Sequence, residues 1–513
     1  MNKAKSIFTL MLLALCSALF SAPAAGQNTL PSPKLHQGIA KVSGTVVGFQ
    51  HTEGKALPGL FIYAPSPVTG ERLTQDTYLK EDGTFSFEIP VQTDITMCII
   101  EGVISDRQFI SVAFALDGSR ETHLEITLDA PGGTQVKTNG PSSLTSYDMT
   151  HIMNRALWKK LLTSNNATPD KPVSQMAPGE YFRFQMGLLD DRLQSSWDEF
   201  QFSDCARQFI ARQYKIVRLD PVFIYYADRM SYRAEKDPQG LVPQRSIRDY
   251  FGFLKDYRLN DRQYLYNENY YKTFQSILTD TTLNIPAIGD TPVRDWLAIV
   301  KNEIAGQTGF DKGIFFDLLA ANAYALQFNE DIKPLSGAQQ ENIRQYFARG
   351  EQKEIAKILL ARNEKIVRLD AAKTIPIVNP TPDVDTEHLM DAIIAKYKGK
   401  AVVVDFWATW CGPCLDAIRK SHSLKADLKG EDVVFVYITN GSSPKALWEK
   451  TIQTIGGEHY YLDNAQWAYM KDSYGFSGIP AYLFFDASGK LQLKQTGYPG
   501  NDNMKAVISR LLP

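Results

Sequence analysis

Residues 401–414 read AVVVDFWATWCGPC, and this stretch decides the fold of the last part of the chain. Its first seven residues are almost all apolar, as a central strand buried on both faces requires. The segment then leads into Cys411-Gly412-Pro413-Cys414. Proline is tolerated there because the first helical turn has no internal partner for the N–H that proline lacks. The pattern predicts a buried strand followed by a helix over residues 411–429.

The two cysteines lie in a setting that favours thiol chemistry. Two cysteines three positions apart in a first helical turn are close enough to form a disulfide. The sulfur of Cys411 would face the unpaired N–H groups and the positive dipole end of the helix. That environment stabilises a thiolate and lowers the pKa of a cysteine. Gly412 would keep the approach to Cys411 open.

Strands and helices alternate around this motif. A second buried strand is predicted at 433–438, with helices at 446–455 and 464–474. A hairpin follows at 481–486 and 490–497, and a helix at 504–512 ends the chain. The alternation of short apolar strands with helices predicts an α/β domain over residues 372–513.

Two separated segments of this domain resemble the thioredoxin family. The first is residues 404–414, and the second is residues 474–480, which read YGFSGIP and resemble the thioredoxin segment that ends in a cis-proline beside the disulfide. The Ala-Thr-Trp before the cysteines and the secretion signal look more like the periplasmic TlpA-like branch. The resemblance implies a thioredoxin fold and a thiol-disulfide oxidoreductase at the C-terminus.

The resemblance also implies catalytic roles for three residues. Cys411 would attack a disulfide of the target, and Cys414 would resolve the mixed disulfide. Asp405, at the end of a buried strand, would accept the proton of Cys414. Glycine and proline between the cysteines resemble the reducing end of the family, so a reductase or isomerase is predicted rather than a strong oxidant.

Five further residues are implied in substrate binding. Pro480 would present its backbone to an extended substrate, and Ile479 would supply hydrogen-bonding groups. The surface around the cysteines would be shaped by Trp410, Gly412 and Pro413.

The chain departs from the family pattern in three places. Arg419 stands where thioredoxin has a proline, and Ala417 stands where cytochrome-specific relatives tend to carry glutamate. The strand 432–440 offers no lysine to partner Asp405. These departures weaken the expected proton relay and a cytochrome-specific role.

The rest of the chain predicts three other segments. Residues 1–26 have a basic start, an apolar stretch and small residues at a cleavage site, as a secretory signal does. Short strands at 41–130 predict a β-sandwich, and residues 148–370 predict an α-helical domain. Residues 27–40 and 131–145 are predicted linkers. A lipid anchor through Cys16 is disfavoured because Leu15 precedes it where a small residue is expected.

Composition narrows the function classes. The 513 residues include 55 lysines and arginines against 57 acidic residues, so the net charge is −2 and no global basic field favours nucleic acid. No stretch after the signal is long and apolar enough to span a membrane. We therefore expect a periplasmic or secreted protein. Its partners would be protein thiols and disulfides together with an unidentified electron donor.

Several alternatives stay open. A zinc site would need further ligands and only His422 lies near, so no metal is expected, and no cofactor beyond the redox pair. A static disulfide and peroxidase chemistry are also considered, although the latter lacks a separate peroxidatic cysteine. Cys98 and Cys205 are expected to be core residues, with a bridge between them left open. A different class of function is a cell-envelope scaffold that carries an accessory thioredoxin-like domain.

Overall fold

The structure is a computed structural model of the whole chain. It describes residues 29–52, 57–71, 73–105, 108–128, 133–141, 144–162, 178–219, 223, 251–280, 283–372 and 374–513. The predicted signal peptide at 1–26, including Cys16, lies outside the described residues.

The first part of the chain forms two four-stranded sheets. The order is β4-β1-β7-β8 in one and β3-β2-β5-β6 in the other. The eight strands are β1 Leu35–Val47, β2 Gly59–Ala64, β3 Leu73–Tyr78, β4 Thr84–Thr93, β5 Ile95–Ser105, β6 Gln108–Asp117, β7 Thr122–Thr127 and β8 Gln135–Thr138. Buried side chains of both sheets belong to one hydrophobic cluster. The predicted linkers are therefore wrong where β1 begins at Leu35 and where β8 occupies Gln135–Thr138.

Close packing fixes the pairing of β1 with β4. Gly44 lies directly opposite Phe85 in this antiparallel pair. A methyl group at Gly44 would come within 2.4 Å of the Phe85 ring and 2.6 Å of the carbonyl oxygen of Leu124. The glycine thus leaves room for the Phe85 ring, which a larger residue at this position would displace.

Helices follow over the middle of the chain, as predicted. The α-helices are α1 Ser146–His151, α2 Arg155–Leu162, α3 Pro178–Glu199, α4 Asp204–Val217, α5 Leu254–Tyr257, α6 Tyr270–Thr279, α7 Val293–Thr308, α8 Ile314–Glu330, α9 Gly337–Tyr346 and α10 Gln352–Ala372. Short 3₁₀ turns occupy Phe251–Phe253 and Arg262–Tyr266. Ser203 caps α4 by accepting a hydrogen bond from the backbone N–H of Ala206.

The last part of the chain is an α/β fold around one six-stranded sheet of order β14-β13-β10-β11-β12-β9. Its strands are β9 Pro376–Asn379, β10 Ala401–Phe406, β11 Val433–Asn440, β12 Gly457–Leu462, β13 Ala481–Phe485 and β14 Leu491–Thr496. Its helices are α11 Leu389–Ala395, α12 Gly412–Asp427, α13 Lys445–Ile455, α14 Asn464–Tyr474 and α15 Asn501–Leu511, with a 3₁₀ turn at Thr386–His388.

Strand β10 is buried along its whole length, as the apolar run predicts. Because side chains alternate across a strand, Val402, Val404 and Phe406 pack into one core cluster. Ala401 and Val403 pack on the opposite face. Asp405 shares that second face, so a carboxyl group stands in the middle of a buried sheet.

The chain divides into two compact units. One comprises Met1–Ala325 with Ser336–Leu360, and the other Leu326–Leu335 with Ala361–Pro513. The four predicted domain ranges stay predictions. Among the residues that the structure describes, no helix combines the length and apolarity needed to cross a bilayer.

Candidate redox site

A disulfide joins Cys411 and Cys414 at the start of α12, with their Cα atoms 5.2 Å apart. Cys411 is the N-cap of the helix, and its Sγ accepts a hydrogen bond from the backbone N–H of Cys414 at 3.2 Å. This sulfur therefore takes the place that a serine or aspartate oxygen holds at other helix starts. The same N–H groups and helix dipole would stabilise negative charge on Cys411 in the reduced form.

Solvent exposure differs among the four residues 411–414. Cys411 is only 3% exposed and Cys414 is fully buried, whereas Gly412 and Pro413 between them are exposed. A methyl group at Gly412 would meet nothing within 4 Å. Packing within the chain thus does not require the glycine, and a side chain at position 412 would face open space.

The Ile479–Pro480 peptide bond lies beside the disulfide and is cis, as the resemblance implies. The carbonyl oxygen of Ile479 is 3.8 Å from Sγ of Cys411. The carbonyl of Pro480 accepts a hydrogen bond from the N–H of Gly497 at 2.9 Å and is thereby used within the domain. Of these two residues, Ile479 offers its backbone next to the cysteines.

Trp410 is the large exposed side chain beside the disulfide, with 64% of its surface accessible. Its Nε1 donates a hydrogen bond to Oγ of Ser442 at 3.1 Å. The ring is thus held at one edge while most of its surface faces solvent. An exposed aromatic ring at this position can contribute apolar contact area to a bound partner.

Asp405 lies within the sheet behind the cysteines and is 6% exposed. In the sheet register it stands opposite Tyr437 of β11 on one side and Tyr482 of β13 on the other. Its Oδ1 has no hydrogen-bond partner among the described residues. Burial raises the pKa of Asp405 to about 8, and the positive charge of Lys425 limits that rise. A buried carboxyl with such a pKa can exchange a proton near neutral pH.

Comparisons with known proteins agree on this part of the chain. Residues 390–512 match a family described as "Thioredoxin-like domain". These residues are a thioredoxin-like domain.

Relatives of the thioredoxin-like domain are named as thiol-disulfide oxidoreductases. "Thiol-disulfide oxidoreductase ResA" of Geobacillus thermodenitrificans is 25% identical over 120 residues, which cover 23% of this chain and 68% of that protein. The protein of the same name from Oceanobacillus iheyensis is 23% identical over 155 residues, covering 29% and 77%.

Solved structures also align with this domain. The thioredoxin domain of a thiol-disulfide oxidoreductase from Bacteroides vulgatus is 20% identical, with a TM-score of 0.21, and covers 23% of this chain and 84% of that one. A thioredoxin family thiol:disulfide interchange protein from Chlorobium tepidum is 24% identical, with a TM-score of 0.21 and the same coverage.

Two adjacent serines after β11 support the segment that carries Trp410, and the sequence motif gave no sign of them. Buried Ser443 accepts a hydrogen bond at its Oγ from the backbone N–H of Thr409 at 3.0 Å. Exposed Ser442 holds the Trp410 ring, as described above. These contacts connect the loop after β11 to the turn before the cysteines.

A second missed residue is Lys425, near the end of α12. Its Nζ donates hydrogen bonds to the hydroxyl of Tyr437 at 3.1 Å and to the carbonyl oxygen of Ile455 at 2.8 Å. Burial lowers the pKa of Lys425, and the negative charge of Asp405 opposes that shift. The thioredoxin-like domain thus holds a lysine near its buried aspartate, although the neighbouring strand has none.

The two cysteines of the first unit have different surroundings. Cys98 in β5 and Cys205 in α4 are buried thiols in the hydrophobic cluster. Burial raises the pKa of Cys98 far above its usual range. Both therefore have the surroundings of core residues rather than of reactive thiols.

Proposed function

We propose that this chain is an extracytoplasmic thiol-disulfide oxidoreductase whose Cys411–Cys414 pair reduces or isomerises disulfides in cell-envelope proteins. The observation that carries the proposal is the position of Cys411. Its sulfur caps a helix, lies 3.8 Å from the Ile479 carbonyl and stands beneath an open surface at Gly412. We therefore assign the attack on a target disulfide to Cys411, with the approach over the exposed Gly412.

The reaction assigns a different task to each cysteine. In the reduced protein, the Cys411 thiolate attacks one sulfur of the target disulfide and displaces the other as a thiolate, which takes up a proton. Cys414 then loses its proton and attacks Sγ of Cys411. The Cys411–Cys414 bond forms, the bond to the target breaks, and the target leaves with two thiols. The target gains two electrons and the protein loses two.

The proton of Cys414 needs an acceptor on the buried side of the helix. Asp405 occupies the sheet beneath α12 and holds an unpartnered Oδ1. In its ionised form it can take the proton either directly or through a water molecule. Asp405 is thus proposed as the base of the resolving step.

The substrate side is proposed from the exposed groups. An extended target would pair with the backbone of Ile479 beside Pro480, with Gly412 and Pro413 below it and the Trp410 ring at its flank. No cofactor other than the redox pair enters this scheme. Because each net reduction of a target leaves the pair oxidised, a dithiol or other two-electron donor must reduce it again, whereas isomerisation returns the pair in its reduced form.

The setting outside the cytoplasm is proposed from the secretion pattern of residues 1–26. The two N-terminal sheets, which we propose pack as a β-sandwich, and the helical region would set the choice of partner.

Capture of mixed disulfides tests the proposal. In a full-length Cys414→Ala variant, the Cys411 thiolate can form a mixed disulfide but nothing resolves it. We expect adducts with envelope proteins that a reductant releases. The Cys411→Ala/Cys414→Ala double variant is the matched control and should capture none.

Two outcomes would overturn parts of the proposal. If no reductant-sensitive adduct forms and the purified chain cannot reduce a small disulfide, the enzyme is excluded. Partners that co-purify equally with the double variant would instead support the scaffold alternative. A redox titration decides the direction, because a potential of roughly −270 mV indicates a reductant and one of roughly −120 mV a strong oxidant.

A further inference from the structure

A row of polar side chains crosses the sheet of the thioredoxin-like domain beneath α12. Tyr482, Asp405, Tyr437 and His459 stand opposite one another on the adjacent strands β13, β10, β11 and β12. All four are buried. Four polar groups at one level of a hydrophobic core carry a cost in desolvation, so their arrangement calls for a function or a partner.

Helix α12 covers this row with a stripe that begins at Cys414. Cys414, Ile418, Ser421 and Lys425 follow one another at spacings of four, three and four residues, which place them on one helix face. The resolving cysteine and Lys425 therefore both face the sheet, at opposite ends of the same stripe. Lys425 donates to the hydroxyl of Tyr437, the residue directly opposite Asp405.

The other titratable groups of the row are neutral near pH 7. Burial raises the pKa values of Tyr437 and Tyr482 far above their usual range, and the charge of Asp405 raises them further. Tyr498, which follows β14, contacts the ring of Tyr482 and is likewise a phenol.

His459 is neutral for the opposite reason. Burial lowers its pKa to about 4, and Nε2 lies 3.0 Å from the carbonyl oxygen of Gly456. Its ring stacks on Tyr437. Within the described part of the row and its covering helix, Lys425 is thus the group that can place a positive charge near Asp405.

We infer that Lys425 is a positioning residue for the redox reaction, and that from the end of α12 it keeps the Asp405 carboxyl available as the base for Cys414. The inference rests on the proposed function of Asp405. Lys425, on helix α12, would supply the positive charge near Asp405. The neighbouring strand β11 has no lysine that could do so. The ammonium group is held in place by the Tyr437 hydroxyl and the Ile455 carbonyl.

The physical consequence concerns the ionised fraction of Asp405. A positive charge nearby favours the carboxylate over the neutral acid, so removing the charge raises the pH at which Asp405 ionises. Below that pH, each unit of increase lowers the carboxylate fraction about tenfold. The attack of Cys414 on a mixed disulfide would slow by the same factor at neutral pH.

The test measures that step in the purified full-length chain. The reduced protein is mixed with a thionitrobenzoate disulfide, and the second release of thionitrobenzoate reports the attack of Cys414 on Cys411. The rate is followed against pH for the wild type and for Lys425→Met, Lys425→Gln and Lys425→Arg. Carbonyl-region carbon NMR of Asp405 in the same proteins gives its titration without reference to activity.

We expect Lys425→Met and Lys425→Gln to raise the midpoint of the rate–pH profile and the midpoint of the Asp405 NMR titration by about one pH unit or more. Lys425→Arg should keep both midpoints near their wild-type values, because arginine retains the positive charge. Lys420→Met is the matched control, since Lys420 lies on the same helix in an ion pair with Asp416. It should leave both midpoints unchanged.

A purely structural Lys425 would give a different pattern. All three substitutions at Lys425 would then lower the melting temperature without moving either midpoint, and the inference would be overturned. A wild-type chain that releases no thionitrobenzoate would instead contradict the proposed function. The NMR titration of Lys425→Met would still decide whether the two side chains are coupled.

Discussion

The backbone N–H of Cys414 donates a hydrogen bond to Sγ of Cys411 at 3.2 Å, and this bond makes the Cys411 sulfur the cap of α12. The two sulfurs consequently differ in environment although they share one bond. Cys411 faces the helix dipole near the surface, and Cys414 is enclosed beneath it.

This asymmetry predicts unequal acidity of the two thiols. In the Cys414→Ala variant, we expect the thiol of Cys411 to titrate below about 8.5, the ordinary cysteine value. In the Cys411→Ala variant, buried Cys414 should titrate above it. The rate of alkylation by iodoacetamide against pH measures both values. Equal values for the two variants would contradict the role of the helix start.

Asp405 predicts a pH dependence of stability. Between about pH 4, where a free aspartate ionises, and about pH 8, the folded chain holds one proton more than the unfolded chain. The free energy of unfolding of this domain should therefore fall as the pH rises through that window. Asp405→Asn should flatten the fall, and it should stabilise the domain by about 2–4 kcal/mol at pH 8 after the cost of burying an amide.

Urea unfolding at a series of pH values measures this effect. Asp486→Asn is a useful control, because hydrogen bonds hold the pKa of exposed Asp486 at about 2. That substitution should remove stability above pH 4 instead of adding it. An unchanged slope in Asp405→Asn would show that the carboxyl is not protonated in the folded state at neutral pH.

The serine pair after β11 predicts two different outcomes for one chemical change. Ser443→Ala leaves the buried N–H of Thr409 without its acceptor, so we expect a loss of about 1–3 kcal/mol in the free energy of unfolding. Ser442→Ala removes a hydrogen bond at the surface and should cost less than about 0.5 kcal/mol. Chemical denaturation compares the two. Equal losses would contradict the support assigned to Ser443.

Trp410 predicts a separation of activity from stability. Because most of its ring is exposed, Trp410→Ala should leave the free energy of unfolding within about 0.5 kcal/mol of the wild type. Reduction of a folded protein disulfide should nevertheless weaken through a higher KM, whereas reduction of a small disulfide should not change. A parallel loss for both substrates would assign the ring to the chemistry rather than to contact with a partner.

Sequence patterns sufficed for the redox site because its chemistry depends on neighbours in the chain. The apolar run of β10 and the Cys-Gly-Pro-Cys start of α12 specify strand, turn and helix by local rules. The segment ending in Ile479-Pro480 could be assigned to the same site through the resemblance. Its distance of 3.8 Å from Cys411 required the fold.

Strands β8 and β12 and the residue Lys425 could not be predicted from such local patterns. β8 has only four residues within a stretch rich in turn formers. β12 has six residues, but it begins with glycine and does not alternate apolar and polar residues, so its sequence does not mark a strand. Lys425 lies on helix α12, whereas the family pattern directs attention to the strand next to Asp405. Its spacing from Cys414 along the helix was the signal that could have found it.

The burial of Cys98 and Cys205 has a consequence for how the protein is made. Before the chain has folded, these thiols are exposed together with Cys411 and Cys414, and four cysteines allow three complete pairings. Only one of those pairings contains the bond seen here. While β5 and α4 are unfolded, Cys411 and Cys414 can form disulfides with Cys98 and Cys205. Once they are packed, the two core thiols are withdrawn from exchange. We therefore expect β5 and α4 to pack before the redox pair becomes active, because packing removes the two competing thiols.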